Sequence, residues 1–247
     1  MAKLFDLQSV FTTIPELLKY LPITLELAIS AMIIALIVGM ILALIKTKEI
    51  PVLKQLVGIY ISLVRGTPII VQLYIVYFGI PMLNKYICLQ RGVEYQASTT
   101  SGVFYAILAL AVNESAYIAE IFRGALGSVN PGQIEAASAI GMNYLQTFFR
   151  IIFPEMIEVA LPGLGNSFIG LIKGTSLAFV CAVVEMTAQG KIIGGRNYRY
   201  FEVYISLAII YWVITFILER LLKLVEKKLE IPDQVAKIEL ASEERGV

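Results

Sequence analysis

Five long apolar runs dominate the chain, and polar or charged residues separate them. The runs cover residues 21–45, 56–80, 103–122, 157–188 and 201–222. A helix needs about 20 mostly apolar residues to cross the hydrocarbon core of a bilayer. Each run therefore predicts one membrane-spanning helix, and the chain is predicted to be an all-α membrane protein with five transmembrane helices.

Two of these runs are predicted to be irregular. Arg65-Gly66-Thr67-Pro68 interrupts the second run early, and a polar loop is predicted over residues 81–100. The fourth run is too long for one straight crossing, so we expect a break or bend near Lys173-Gly174.

The ends of the chain differ in character from the five runs. Residues 1–20 mix apolar and polar side chains, which predicts an amphipathic segment in the membrane interface. Residues 226–247 are charged and are predicted to form a solvated tail. The predicted organisation is thus an interfacial segment 1–20, a transmembrane domain 21–225 and a tail 226–247.

The sequence of the loop 124–154 predicts regular structure rather than an irregular linker. Asn130 is a good helix N-cap and Pro131 suits the first helical position. Gly141 can end this helix, and Asn143 can cap a second short helix. One face of the first helix is apolar, through Ile134, Ala137 and Ile140. Two short helices that meet at a glycine predict a projection that docks on another protein; the alternative is a loop helix without a partner.

Composition excludes several kinds of protein. The chain is 58% hydrophobic and 16% charged, whereas soluble proteins are about 25% charged. Its net charge of +1 gives no reason to expect a nucleic-acid partner. The absence of histidine removes histidine-dependent catalysis and histidine metal ligation. We expect no catalytic residue, no metal site and no cofactor bound by this chain.

Polar residues inside the runs are candidates for a substrate pathway, because a charge within the bilayer costs about 2.5–3.5 kcal/mol on insertion scales. The candidates are Asn113, Glu114, Tyr117, Glu120, Lys173, Thr175, Ser176 and Glu185. Glu114 or Glu185 could accept an ammonium group, and the hydroxyls of Thr175 and Ser176 could donate to a carboxylate. In the structural alternative, Lys173 pairs with Glu114 or Glu120 and the hydroxyls bond to a backbone carbonyl one turn back.

The distribution of lysine and arginine indicates an orientation. Positive residues are more frequent at the ends of the runs nearest the loop 124–154, which predicts that this loop is cytoplasmic. An odd number of spans then places the N-terminus outside and the C-terminus in the cytoplasm. Arg196 and Arg199 run against this assignment, because both fall on the outer side.

The loop resembles the EAA loop of ABC-transporter membrane subunits. The pattern is Glu135-Ala136-Ala137, three residues, Gly141, nine residues, Ile151, one residue and Phe153-Pro154. The family usually has leucine where Phe153 stands. The resemblance implies a coupling helix that docks on a cytoplasmic ATPase. It assigns the coupling role to Gly132, Gln133, Glu135, Ala136, Ala137, Gly141 and Pro154.

Three further stretches resemble polar amino-acid permeases of the histidine/glutamine group. They are 65–81, 116–133 and 173–185, although Lys173-Gly174 stands where that group has Lys-Asp or Lys-Asn. The run 195–212 is similar to the L-cystine branch. The resemblance implies a type I ABC importer permease in a bacterial cell membrane. Its partners would be two ATPase subunits that hold the ATP, an extracytoplasmic solute-binding protein, membrane lipid and a second permease subunit, identical or paralogous.

The predicted function is therefore the import of a polar amino acid, with L-cystine first and a glutamine, arginine, histidine or glutamate type as alternatives. The chain lacks a G-x-x-x-x-G-K-[ST] phosphate loop, so energy would have to come from a partner. Two other classes remain: an intramembrane enzyme that uses Ser176 with Lys173, and an ion-coupled carrier or channel that works alone.

Overall fold

The computed structural model describes residues 5–94 and 100–229, and these residues form ten α-helices in chain order. The helices are α1 (Leu7–Leu18), α2 (Leu21–Thr47), α3 (Leu53–Gly66), α4 (Ile69–Gln90), α5 (Gly102–Ser128), α6 (Pro131–Ala139), α7 (Tyr144–Thr147), α8 (Phe153–Gly174), α9 (Met186–Asn197) and α10 (Tyr200–Leu229). A π-helical turn, Phe148–Ile152, joins α7 to α8, and a 3₁₀ helix, Thr175–Cys181, follows α8.

Five helical segments are long and apolar enough to cross a membrane, which confirms the predicted five-span architecture. They are Leu21–Thr47, Ile69–Gln90, Gly102–Ser128, Tyr144–Cys181 and Tyr200–Leu229.

The second apolar run is two helices rather than one interrupted span. Thr67 is extended, with φ −115° and ψ 140°, because the residue before a proline is disfavoured in the helical region. This ends α3, and α4 starts anew after Pro68. Helix α4 then continues to Gln90 with Pro81 inside it, so the predicted loop boundary at residue 81 is wrong. Residues 95–99 of that loop lie outside the described residues.

The predicted break in the fourth run coincides with the end of α8 at Gly174, where the chain tightens into the 3₁₀ helix. The helical run ends at Cys181, not at residue 188. Ala182 adopts a left-handed conformation with φ 60°. The chain then forms α9, a helix that the sequence did not predict.

Helix α5 is the centre of the bundle and packs most extensively against α2. The contact face of α2 consists of small residues, including Ala31, Ala35, Gly39 and Ala43, all buried. A Cβ atom at Gly39 would lie 2.6 Å from Cγ2 of Ile118. Small residues permit this close approach, which is how helices gain packing energy inside a bilayer.

Helix α1 is amphipathic as predicted, but its inner face packs on the protein. Val10, Thr13 and Leu17 are buried, and the Ser206 hydroxyl of α10 donates to the Val10 carbonyl at 2.7 Å. Its other face leaves apolar side chains exposed, as an interfacial helix does; these are Leu7, Phe11 and Leu18.

Ion pairs fasten α1 to the start of α10 and the end of α9. Arg196 donates to Glu16 at 3.0 Å, and Arg199 lies 3.4 Å from both Asp6 and Glu202. The two arginines that oppose the predicted orientation are therefore paired with carboxylates at this end of the bundle.

The two ends of the described chain lie at opposite ends of the bundle. Helix α2 leads from α1 to the neighbourhood of α7, about 40 Å away for 27 residues. Helix α10 starts beside α1 and runs for 30 residues, about 45 Å, so it ends on the side of the loop 124–154. Since α10 continues to Leu229, the predicted tail boundary at 226 falls inside it; residues 230–247 lie outside the described residues.

Candidate functional site

Asn113 lies in a hydrogen-bond network that holds the break between α3 and α4. Its amide donates to Gln72 Oε1 at 3.2 Å, and Gln72 Nε2 donates to the Val64 carbonyl at 2.8 Å. The Val64 carbonyl would bond to the backbone four residues on, but that residue is Pro68, which has no N–H. Gln72 supplies the missing donor and also bonds the Thr67 hydroxyl at 2.8 Å.

Glu114 is buried at 8% exposure near the middle of α5. The Ser167 side chain of α8 lies next to its carboxyl group. This places a carboxyl group between two membrane spans, where it can accept a hydrogen bond from a cation.

Tyr117 lies one turn further along α5 and is partly exposed. The Arg65 guanidinium, at the end of α3, lies 5.2 Å from the centre of its ring. Together they place one cation and one aromatic face beside the break in the second run.

Glu120 is held by two cations. Its Oε1 lies 2.5 Å from Nζ of Lys46 on α2, and its Oε2 accepts from Arg123 at 2.8 and 2.9 Å. The predicted alternative pairing of Lys173 with Glu114 or Glu120 is wrong for the described residues. Lys173 is exposed there, and both carboxylates have other partners.

The hydroxyl of Thr175 bonds to the backbone, as in the structural alternative given above. It is fully buried and donates to the Ile172 carbonyl at 2.7 Å, one turn back along the helix. Ser176, the next residue, is only partly buried.

Glu185 is fully buried and caps the first turn of α9. Its carboxylate accepts from the backbone N–H of Thr187 at 2.9 Å and of Ala188 at 2.8 Å. The first N–H groups of a helix have no partner within the helix, so this is a strong local stabilisation. The Tyr211 hydroxyl of α10 completes the network by bonding the Thr187 hydroxyl at 3.0 Å.

The predicted site residues therefore do not form one cluster, although Thr175 and Glu185 both lie near the Tyr211 hydroxyl. Asn113 and Tyr117 lie beside the α3–α4 break, and Glu114 lies between α5 and α8. Glu120 is at the end of α5 nearest the loop 124–154, and Glu185 is at the start of α9.

The loop 124–154 folds as its capping residues predict. The Asn130 side chain accepts from the Gly132 N–H at 2.9 Å, and Gly141 has φ +80°. Asn143 and Gln146 cap α7 reciprocally, with two bonds of 2.9 Å.

The second short helix is only four residues long and runs into span four through the π turn. Pro154 explains this geometry. It cannot donate to the Arg150 carbonyl, and its ring crowds that position, so the wider π turn accommodates it.

Most of the residues predicted to have a coupling role are on the surface of the loop. Ala137 is 2% exposed, whereas the other six are exposed: Gly132, Gln133, Glu135, Ala136, Gly141 and Pro154. Ile140, at 78% exposure, lies beside them. The predicted apolar face is thus open at its two isoleucines, Ile134 and Ile140, and it is available to a partner.

The sequence interpretation missed three residues that the structure makes important. Gln72 restores the carbonyl that Pro68 orphans, Ser167 contacts Glu114, and Lys46 holds Glu120. Of these three, only Gln72 could have been found from the sequence. Pro68 lies four residues after Val64 and has no N–H, so the Val64 carbonyl is expected to lack its helical partner. In residues 5–94 and 100–229, no three metal-binding side chains come together.

The family profile described as "Binding-protein-dependent transport system inner membrane component" matches residues 10–231. The chain belongs to this family. It is similar to a probable amino-acid permease protein, YxeN, of Bacillus subtilis, at 46% identity over 92% of this chain and 97% of that protein. It is also 37% identical to the L-cystine transport system permease protein TcyL of the same organism, over 93% of this chain and 94% of TcyL.

A solved structure shows the same architecture. A chain of the crystal structure of an amino acid ABC transporter with histidines is 36% identical to this permease. The TM-score is 0.74, and the match covers 91% of this chain and 99% of that one. The fold is that of a type I ABC importer permease.

Family and fold together define the kind of subunit. The chain is a membrane-embedded permease of an amino-acid ABC importer and is not an enzyme. The family implies an ATPase and a substrate-binding protein as partners. The intramembrane enzyme and the self-contained carrier are thereby set aside.

Proposed function

We propose that this permease imports a polar amino acid, with L-cystine as the first candidate. It does so with two ATPase subunits, which hold the ATP, and an extracytoplasmic solute-binding protein. A second permease subunit, identical or paralogous, completes the pathway. The N-terminus is outside the cell and the C-terminus is in the cytoplasm.

One observation carries the proposal for a zwitterionic substrate: Glu114 is buried between α5 and α8 near the middle of the bundle. An ammonium group can take the place of the Ser167 hydroxyl at this carboxylate, and a charge-assisted bond is about twice as strong as a neutral one. The Ser176 hydroxyl, Lys173 and the Arg65 guanidinium are candidate donors for the substrate carboxylate.

The other predicted pathway residues have different parts in this proposal. Asn113 and Tyr117 line the pathway beside the α3–α4 break. Thr175 and Glu185 stabilise the backbone around the pathway, because their polar atoms already bond to helix carbonyl and N–H groups.

Relatives support L-cystine without excluding other substrates. Two L-cystine permeases of Bacillus subtilis, TcyL and TcyB, are 37% and 36% identical to this chain. The run 195–212 gave the same indication. A nopaline permease is 39% identical and a glutamine permease 31%, so identity alone does not order the substrates.

The coupling part of the proposal rests on the exposed loop. When the ATPase subunits close on ATP, the two docked loops approach each other. Each loop is continuous with α5 and with α8, so these spans move and the inner gate closes while the outer side opens. The buried Ala137 and the exposed Ile140 are what we expect of a loop with a packed interior and an apolar outer surface.

The test is uptake by the complete transporter in proteoliposomes with ATP inside. L-Cystine, glutamine, arginine, histidine and glutamate are supplied separately, each with the binding protein that copurifies with the permease. We expect ATP-dependent uptake of L-cystine that exceeds the uptake of each of the other four. Uptake of another amino acid in preference would contradict the L-cystine assignment, and uptake of none would contradict the amino-acid proposal.

A further inference from the structure

Two lysines at the C-terminal end of α2 reach two other elements. Lys46 Nζ lies 2.5 Å from Glu120 Oε1 on α5. Lys48, just after the helix, places its Nζ 4.6 Å from the centre of the Tyr144 ring at the start of α7. The end of α2, the first span, therefore contacts both α5, the third span, and the loop 124–154, which we call the coupling loop.

The ion pair is built to hold its partners together. The Lys46 and Glu120 side chains are 27% and 20% exposed, so solvent and salt screen their attraction less than that of a surface pair. Arg123 bonds the other oxygen of Glu120, but it lies on the same helix. Of these two contacts, only Lys46–Glu120 crosses between helices.

Chain connectivity explains why such a link matters. Helix α5 ends at Ser128 and α6 begins at Pro131, so α5 follows the coupling loop through the chain itself. Helix α2 has no such connection to the loop. Helix α2 packs along α5, and at its end nearest the loop Glu120 on one side and Tyr144 on the other add contacts through which a displacement of the loop acts.

We propose that Lys46, Lys48, Glu120 and Tyr144 form a clasp that makes the first span move with the coupling loop. These are positioning residues, because they act through helix contacts. The proposal rests on the proposed function, since it requires that an ATPase displaces the loop. It also gives Glu120 a coupling role in place of the predicted role in the substrate pathway.

The experiment compares two variants that each remove one cation from the same carboxylate. Lys46→Gln breaks the contact between helices, and Arg123→Gln breaks the contact within α5. Both are assembled with ATPase and binding protein in proteoliposomes, and uptake is divided by ATP hydrolysed. We expect Lys46→Gln to lower this ratio by between about 2-fold and 30-fold, the range for coupling mutations, with the substrate KM unchanged. Arg123→Gln should stay near the wild-type ratio.

Four further variants complete the series. Lys46→Arg keeps the charge and should restore the ratio. Lys46→Gln combined with Glu120→Gln leaves no unpaired carboxylate and should reproduce the loss even if the single variant folds poorly. Tyr144→Leu should lower the ratio, whereas Tyr144→Phe keeps the aromatic face and should not.

Several results would overturn the clasp. Equal losses in Lys46→Gln and Arg123→Gln would show that Glu120 needs only neutralising charge. If Lys46→Gln raised the KM for the substrate and left the ratio of uptake to ATP hydrolysed unchanged, Glu120 would belong to the substrate pathway. Failure of the wild-type complex to show ATP-dependent uptake would instead remove the proposed function, and it is recognised before any variant is compared.

Discussion

Replacing Glu185 by alanine should destabilise the permease rather than weaken its affinity for substrate. The fully buried carboxylate accepts two backbone N–H bonds, of 2.9 and 2.8 Å, at the start of α9. A buried donor left without a partner costs about 1–3 kcal/mol. Two such donors give an expected loss of about 2–6 kcal/mol for Glu185→Ala.

Conservative variants sharpen this prediction. Glu185→Gln keeps one acceptor oxygen, so it should cost about half as much, roughly 1–3 kcal/mol. Glu185→Asp keeps both oxygens, and aspartate is a favoured N-cap residue, so its cost should be smaller still. Glu219→Ala, at an exposed position on α10, is the control and should stay within about 0.5 kcal/mol.

The assay is thermal unfolding of the detergent-solubilised permease, followed by size-exclusion chromatography of what remains folded. One kcal/mol corresponds to about 2–4 °C for a domain of 150–250 residues, so Glu185→Ala should lower the Tm by at least about 4 °C. The order should be alanine, then glutamine, then aspartate. Wild-type Tm in the alanine variant, together with a raised KM for uptake, would refute the capping role and identify Glu185 as a substrate acceptor.

Three other predictions concern the loop, the α2–α5 contact and the pathway. Gly141→Pro should uncouple ATP hydrolysis from uptake while the protein stays in the membrane, because proline cannot adopt φ +80°; normal uptake by this variant would contradict the coupling role of the loop. Gly39→Ala should be less stable than Gly79→Ala by about 1–3 kcal/mol in the same unfolding assay, since only Gly39 has a neighbour in the way; equal Tm values would show that α2 and α5 are not tightly packed. Glu114→Gln should raise the KM for the amino acid about 10- to 100-fold without changing copurification of the ATPase, and wild-type kinetics would place the binding site elsewhere.

Much of the architecture follows from the sequence, because the bilayer restricts what an apolar run can do. Backbone groups in hydrocarbon must bond within the segment, so a run of about 20 apolar residues has to be a helix. Local chemistry also predicts the conformation of the loop 124–154 well. Asn130, Gly141 and Asn143 each act within a few residues of their position, and each does in the structure what its capping preference indicates.

The failures have a common physical origin in contacts between distant parts of the chain. Helix α9 has little apolar periodicity of its own, and burial against α1 and α10 and the cap from Glu185 stabilise it. A buried carboxylate also looks the same in sequence whether it meets a substrate, a lysine or a helix N-terminus. Glu114, Glu120 and Glu185 meet three different partners: Ser167, two cations and the α9 backbone, respectively.

The most direct test of the account is to purify the permease from membranes in mild detergent, identify what accompanies it, and measure amino-acid uptake by the reconstituted material. We expect an ATPase subunit and a solute-binding protein to copurify, and uptake to require ATP on the side of the loop 124–154. A permease that emerges alone and still moves an amino acid in liposomes without ATP would contradict it.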